Sequence, residues 1–180
     1  EHTDLAMLPP LLRGLCAIAP VYYVTGNHEW RVPGLRGILA QMRACGVTVL
    51  QDDWRVLRRG EDALIVAGTD DPCGPAERKT PAELVEGLDA DKPILVLDHQ
   101  PRELEELAAA GVDVDLCGHT HDGQMFPGNL TVRLFWENAC GCLRVGSMHS
   151  IVTSGVGLFG PNMRVATRAE ICPITIHFMN

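Results

Sequence analysis

The sequence predicts an α/β fold with a mixed sheet, and three observations carry that expectation. Short β-branched or aliphatic runs alternate with stretches of helical periodicity. Two of the runs flank a Gly-containing turn, as in a hairpin, and polar loops stand at the exits of three predicted strands. Leu5 to Ala17 reads as a helix with Pro9 and Pro10 early, where a missing amide donor costs least, and it ends before Pro20. Val21 to Thr25 is a short aromatic and β-branched strand bounded by Pro20 and Gly26. Leu35, Ile38, Leu39 and Met42 recur near helical spacing, Gly46 supplies a C-terminal cap, and Val47 to Leu50 returns to strand. Trp54 to Arg58 and Ala63 to Gly68 make the hairpin around Arg59-Gly60-Glu61-Asp62. Asp70 to Thr80 is turn-rich, Pro81 to Leu88 a short helix and Ile94 to Leu97 an apolar strand. Arg102 to Ala110 is a helix stopped by Gly111, and Val112 to Cys117 is a further strand. Beyond Asp122 the chain is Gly-rich and less regular, with later strands expected at Ser150 to Ser154 and Ile174 to Phe178.

The 180 residues include 15 Lys+Arg against 23 Asp+Glu, a formal charge of −8, and 46% are hydrophobic. That length and apolar share suit one domain over residues 1–180 with one ordinary core. The acidic balance gives no general attraction to nucleic-acid phosphates, so no nucleic-acid partner is expected. No apolar run approaches the roughly 18–20 residues a membrane-spanning helix needs, so no transmembrane segment is expected. The seven cysteines lack the dense spacing of a disulfide scaffold and read as mostly reduced. Cys16, Cys45, Cys117 and Cys172 lie in apolar stretches and read as small hydrophobes.

Four of the seven histidines, His28, His99, His119 and His121, fall in loops directly after predicted strands, where α/β folds converge on a crevice. In His119-Thr120-His121 an extended backbone would turn both imidazoles to one side, toward a common ion or adjacent ions. Asn27 precedes His28 in a Gly-initiated loop, and an amide oxygen is a hard, neutral donor for a divalent cation that also takes imidazole. A His-x-His pair alone, or an Asn-His turn alone, is weak evidence for metal; their company strengthens it.

Gly26-Asn27-His28-Glu29, then His99 behind an apolar strand, then Gly118-His119-Thr120-His121 resemble three ordered motifs of the calcineurin-like metallophosphoesterase superfamily. Gly118 to Gln124, and the stretch from Val152-Thr153-Ser154-Gly155-Val156-Gly157 to Arg164 and Glu170-Ile171, are similar to its bacterial YkuE/YaeI-type phosphodiesterase branch. The resemblance implies a layered α/β/β/α sandwich with mixed sheets. It also implies two divalent metal ions, drawn from Mn, Fe and Zn, bridged by a hydroxide that attacks phosphorus. Carried over residue by residue, it makes Asn27, His99 and His119 ligands of one ion and His121 a ligand of the other. His28 is then the group that hydrogen-bonds the phosphate or protonates the departing alkoxide, a task suited to an imidazole. The implied substrate is a phosphodiester or pyrophosphate, either a small molecule or lipid-linked, such as an acylated nucleotide sugar.

The superfamily's first two motifs, an Asp-x-His and a Gly-Asp-x-x-Asp that supplies the bridging carboxylate, have no counterpart before Leu5, and Asp4 reproduces neither. Three ligands and two central strands of the family fold are thus not found in these residues. The expectation is the C-terminal portion of a longer enzyme, with one metal site nearly complete and exposed sheet edges. The competing expectation is a truncated, catalytically inactive domain that binds one metal ion or a partner.

The remaining candidates have plainer expectations. Asp122, where the branch usually has glycine, reads as a turn residue ahead of a brace for a ligand histidine. Asp70, Asp71 and Cys73 read as a solvated acidic loop, with rimming of the active site as the alternative. Met125, Phe126, Leu134, Phe135 and Trp136 are expected in the core before an acyl groove. Cys140-Gly141-Cys142 is too tight for a zinc knuckle and reads as packing. His2 is expected to face solvent, and His149 and His177 to fill strands. Ser154-Gly155-Val156-Gly157 lacks the helix and lysine of a phosphate cradle, and no Gly-x-Ser-x-Gly elbow supports a serine hydrolase.

Overall fold

Successive side chains of a strand point to opposite faces, and in this chain several strands are apolar on both, so each face needs a covering layer. The structure, a computed structural model, describes residues 7–75 and 77–177. Strands β1 (Tyr22–Val24) and β2 (Thr48–Leu50) pair in parallel as a two-stranded sheet. A second sheet has six strands: β3 (Asp53–Arg59), β4 (Asp62–Gly68), β5 (Ile94–Leu97), β6 (Val114–Cys117), β7 (Gly141–Val145) and β8 (Met148–Val152). Its order is β3-β4-β5-β6-β8-β7. The outer pairs are antiparallel and the three inner pairings parallel, which is the expected mixed sheet.

Three apolar clusters stack these elements into four layers. Helices α1 (Leu8–Cys16) and α2 (Leu35–Ala44) bring Leu12, Leu35, Leu39 and Met42 onto Tyr23 and Val49 of the small sheet and onto Val47 just before it. Its other face gives Tyr22, Val24 and Leu50, which meet Leu64, Val66, Leu95 and Leu116 of the large sheet. The far face of the large sheet presents Ile65, Ala67, Ile94, Val96 and Met148 to α3 (Pro81–Val85) and α4 (Leu104–Ala109) through Leu84, Leu104 and Leu107. This is the α/β/β/α sandwich. Burial of each such leucine or isoleucine contributes about 1.5–3 kcal/mol, and these side chains lie between layers instead of along one sheet, so they set the layer order.

The elements begin and end where local chemistry dictates. Pro9 and Pro10 occupy the first turn of α1. Thr80 and Glu83 cap α3 reciprocally, the Thr80 hydroxyl accepting from the Glu83 amide and the Glu83 carboxylate accepting from the Thr80 amide. Gly46, Gly60 and Gly111 take positive φ at the end of α2, in the β3–β4 turn and after α4. Gly68 closes β4 where Leu50 and Val24 of the small sheet pack directly on its backbone. A Cβ there would lie 2.5 Å from Leu50 Cβ and 2.6 Å from Val24 Cγ1.

Several expectations are corrected. The stretch 174–177 forms no strand, and Phe178 lies outside the described residues; Ile176 packs on the inter-sheet cluster without backbone pairing. Leu5 and Ala6, with Asp4 and His2, lie outside the described residues, and the helix is described from Leu8. All seven cysteines are free, as expected, yet Cys172 is exposed. Cys140 is half-buried and Cys142 exposed, so the latter is no packing residue. His149 is exposed on β8 and His177 is exposed outside any strand. The exposed face of α1 carries Leu11, Leu15 and, beyond its end, Ile18. Among the described residues β1 and β2 pair only with each other, leaving each an open edge. No helix among the described residues is long and apolar enough to cross a membrane.

One buried acid makes the fold sensitive to pH. Asp115 on β6 is fully buried, accepting from the Ser150 hydroxyl (3.0 Å) and the Cys117 thiol (3.2 Å), and burial pushes its pKa up to about 7. Unfolded, it ionises in the ordinary carboxylate range, so between that range and pH 7 the folded chain holds a proton the unfolded chain has lost. Stability therefore falls as pH rises through this window and levels off above it. Asp115→Asn is expected to raise the melting temperature at pH 8 by several degrees and to leave it nearly unchanged at pH 4, as read by thermal unfolding at both pH values. Gly68→Ala is expected to cost about 1–3 kcal/mol in urea unfolding, since the added methyl must part the two sheets.

Candidate metal centre

Three strand exits from two sheets deliver the site. Asn27 and His28 follow β1, His99 follows β5, and His119 and His121 follow β6. The first loop is folded back on itself by Glu29, whose carboxylate accepts from the Gly26 amide at 2.8 Å as the chain enters a 3-10 turn, Glu29–Arg31. Gly26 is required for another reason: a Cβ there would sit 2.8 Å from both Cγ and Nδ1 of His99, so the missing side chain is the seat of that ring.

The three donors converge. His99 Nε2 lies 3.0 Å from Asn27 Oδ1 and 3.1 Å from His119 Nδ1. Two imidazole nitrogens and an amide oxygen facing one another have too few protons to satisfy every lone pair, which is the arrangement a cation resolves. The spacing also fits, since ligand bonds of about 2.1 Å put neighbouring octahedral donors about 3.0 Å apart. Among the described residues no three His, Cys, Asp or Glu side chains form a metal cage; the third donor here is an amide. His121 Nδ1 is buried without a hydrogen-bond partner, an open donor in the same cleft.

Burial keeps these imidazoles neutral. It lowers the pKa of His99 against the opposing pull of Asp71 and Glu29, lowers that of His121 with help from Arg164, and takes His119 down to about 4 with help from His99. Neutral imidazole is the ligating form. The cleft, of about 350 Å³, is lined by these histidines together with Asn27, His28, Arg31, Gln124, Trp136 and Phe159.

The predicted site residues thus come together, but one geometric expectation fails. His119 and His121 are not extended. Their φ values are 66° and 52°, and Asp122 and Gln124 follow at 51° and 55°. The chain coils tightly after Gly118, with the Thr120 hydroxyl bonded to the Ala139 carbonyl at 2.6 Å, so the two rings reach one cleft by a left-handed turn. Such residues cost about 1–3 kcal/mol each and persist where the surroundings hold them. Asp122 is a turn residue, as expected; its amide is bonded to the Thr120 hydroxyl and its carboxylate faces Arg133.

The acidic loop is solvated only in part: Cys73 is exposed, but the loop's two carboxylates are turned inward. Asp71 is 1% exposed and accepts from Gln100 Nε2 at 2.8 Å, while Asp70 accepts from the Thr25 hydroxyl and from Trp30 Nε1. Asp98 is buried and receives Arg78 at 3.0 Å. Burial raises its pKa, and Arg78 opposes that shift. The aromatic stretch is not core either: Phe126 is 61% exposed, and Leu134 and Phe135 are each 80% exposed. Gln100 and Phe159 had no role in the sequence-based site. Gln124 had a signal as the end of the Gly118–Gln124 stretch, and Trp136 had one in the apolar stretch whose alternative reading was an acyl groove.

No protein-family model matches the sequence. The chain is 34% identical over 169 residues to a zebrafish protein named transmembrane protein with metallophosphoesterase domain, covering 86% of this chain and 38% of that one. It is 33% identical over 161 residues to an uncharacterized metallophosphoesterase of Aquifex aeolicus, covering 86% and 60%. Phosphodiesterase YaeI of Escherichia coli is 30% identical over 173 residues, covering 89% and 60%. These relatives support the metallophosphoesterase superfamily. The chain therefore spans about two fifths to three fifths of the length of these superfamily relatives. A solved structure of the sulfate thiohydrolase SoxB from Thermus thermophilus shares the fold, with a TM-score of 0.55 at 18% identity over 86% of this chain and 32% of that one. Metallophosphoesterases imply divalent ions, and the donor set described above fits them.

Gly26→Ala is expected to weaken Zn²⁺ binding about 10–100-fold without altering a donor, because the new methyl displaces the His99 ring. Isothermal titration with Zn²⁺ reads this directly, and unchanged affinity would show that the ring has room to move.

Proposed function

We propose that the complete protein is a metal-dependent hydrolase of phosphodiester or pyrophosphate bonds, and that these residues form part of its active site. The observation that carries this is the meeting of Asn27 Oδ1, His99 Nε2 and His119 Nδ1 within 3.0 to 3.1 Å steps, with His99 and His119 held neutral by burial. Asn27, His99 and His119 would hold one divalent ion, and His121 would serve a second. Such ions supply Lewis acidity toward a phosphoryl oxygen and acidify water.

The chain's own residues do the rest. His28 lines the cleft without belonging to the donor triangle, 5.5 Å from the Phe159 ring, where it can hydrogen-bond the phosphate or give a proton to the leaving oxygen. Arg31 brings positive charge to the same cleft, which suits an anionic diester. Trp136, edge-on to His119 at 5.2 Å, and Phe159, beside His28 and His121, line the cleft. Exposed Phe126, Leu134 and Phe135 support an acylated, lipid-linked substrate.

In the full-length protein, His99→Ala and His119→Ala are expected to lose Mn²⁺ and the hydrolysis of bis(p-nitrophenyl) phosphate together. His28→Ala is expected to keep the metal and to lose turnover by about 10²–10⁴-fold, most with poor leaving groups. Equal metal loss in all three variants would sink this division of roles.

A further inference from the structure

A buried glutamine serves no purpose yet described. Gln124 is 5% exposed, and its side-chain amide is committed to a single segment. It accepts from the Phe159 amide at 2.6 Å and donates to the Phe159 carbonyl at 2.6 Å and the Pro161 carbonyl at 3.1 Å. The near end of that segment is held by Arg164, which donates to the carbonyls of Ser154 (2.7 Å), Gly155 (3.1 Å), Gly157 (2.8 Å) and His121 (3.1 Å). The strap so fastened contributes little to the core, since Val156, Leu158 and Phe159 are all exposed, Phe159 by 55%. What it fixes is one aromatic ring, edge-on to His28 at 5.5 Å and nearly parallel to His121 at 6.5 Å.

We propose that Phe159 is a specificity-determining residue whose ring contacts the leaving group of a phosphodiester, selecting bulky apolar or aromatic leaving groups. This rests on the function proposed above. The contact follows from position, because Phe159 flanks His28, the residue placed to protonate the leaving oxygen, so whatever departs passes over the ring. Trp136 takes the His119 side of the cleft, with Arg102 stacked 4.9 Å from its ring centroid, so the second substituent of a diester meets a different wall. An aromatic or bulky apolar leaving group buries the exposed half of the Phe159 ring, and an aromatic one gains edge or stacking contacts as well; a methyl group offers neither. Gln124 is the positioning residue of this arrangement, acting through the backbone of Phe159.

The test is the affinity of the Zn²⁺-loaded full-length protein for inorganic phosphate, dimethyl phosphate and diphenyl phosphate by isothermal titration. Diphenyl phosphate is expected to bind about tenfold more tightly than dimethyl phosphate, and Phe159→Ala to reduce that ratio to about threefold or less. Phe159→Leu, which keeps volume and loses the ring, guards against collapse of the strap. It is expected to keep part of the preference while the His28 and His121 imidazole resonances lose their ring-current shifts. A ratio that does not respond to either variant, with phosphate still bound, overturns the role of Phe159 and leaves the proposed active site standing. If none of the three phosphates binds, the active-site proposal fails, and the role of Phe159 falls with it.

Discussion

The contact between the two sheets at Gly68 is the constraint on which the site depends. The donors are divided between sheets that share no backbone hydrogen bonds: Asn27 and His28 leave the small one, and His99, His119 and His121 leave the large one. Side-chain packing and side-chain hydrogen bonds, with no shared ladder, set the distance between them, and facing sheets ordinarily stand about 10 Å apart. At the end of β4 the absent side chain lets Leu50 and Val24 come within the space a methyl would fill. The strand ends therefore pinch together on the side where the loops emerge. Gly26 repeats the device at the scale of one ring, giving His99 its seat against the Asn27 loop. A donor–donor separation of 3.0 Å between residues 72 positions apart is the result of these two omissions.

Lateral braces hold what the pinch brings together. Asp70 ties the β1 exit to the β4 exit through Thr25, and Asp71 ties the β4 exit to the β5 exit through Gln100. Asp98 anchors Arg78 beside His99, and Arg78 continues to Glu103 at the start of α4. Each buried carboxylate has named partners, which offsets the cost of removing it from water. These acids stand behind the donor triangle, where they orient loops.

Much of this architecture was legible because it depends on local pattern. The β5 strand appears over Ile94–Leu97 as its unbroken apolar run predicts, and the β3–β4 hairpin turns at Gly60 as its composition requires. Which histidines meet was also legible, since each follows a strand and strand exits of an α/β sheet share one edge. How they meet was not. The alternation rule assumes extended backbone, and His119 and His121 stand at positive φ, in a turn that Thr120 closes locally on the Asp122 amide and anchors to the Ala139 carbonyl, 19 residues away and outside the local pattern. Asp71 misled for a similar reason: an acid beside proline and glycine reads as solvated until its partner Gln100, 29 residues away, is known. The exposed aromatics failed in the opposite direction, because composition favours burial and only tertiary structure shows where the core ends.

The chemistry of the donor set bears on the charge of the substrate. Asn27, His99 and His119 are all neutral in the arrangement the fold creates, the imidazoles because burial disfavours their charged forms. A neutral donor set cancels none of the charge of a cation it holds, whereas each carboxylate ligand would cancel one unit. The nearby acids are turned to other partners, Asp71 to Gln100 and Cys73, Asp98 to Arg78, and Asp122 toward Arg133. Among the described residues the donor triangle thus brings no negative charge of its own to the cleft, and Arg31 lines it, within a chain whose formal charge is −8. An acidic chain gains no long-range attraction for an anion, so any attraction at this cleft is local. Turning the nearby carboxylates to other partners, through backbone and side-chain bonds, favours that local attraction.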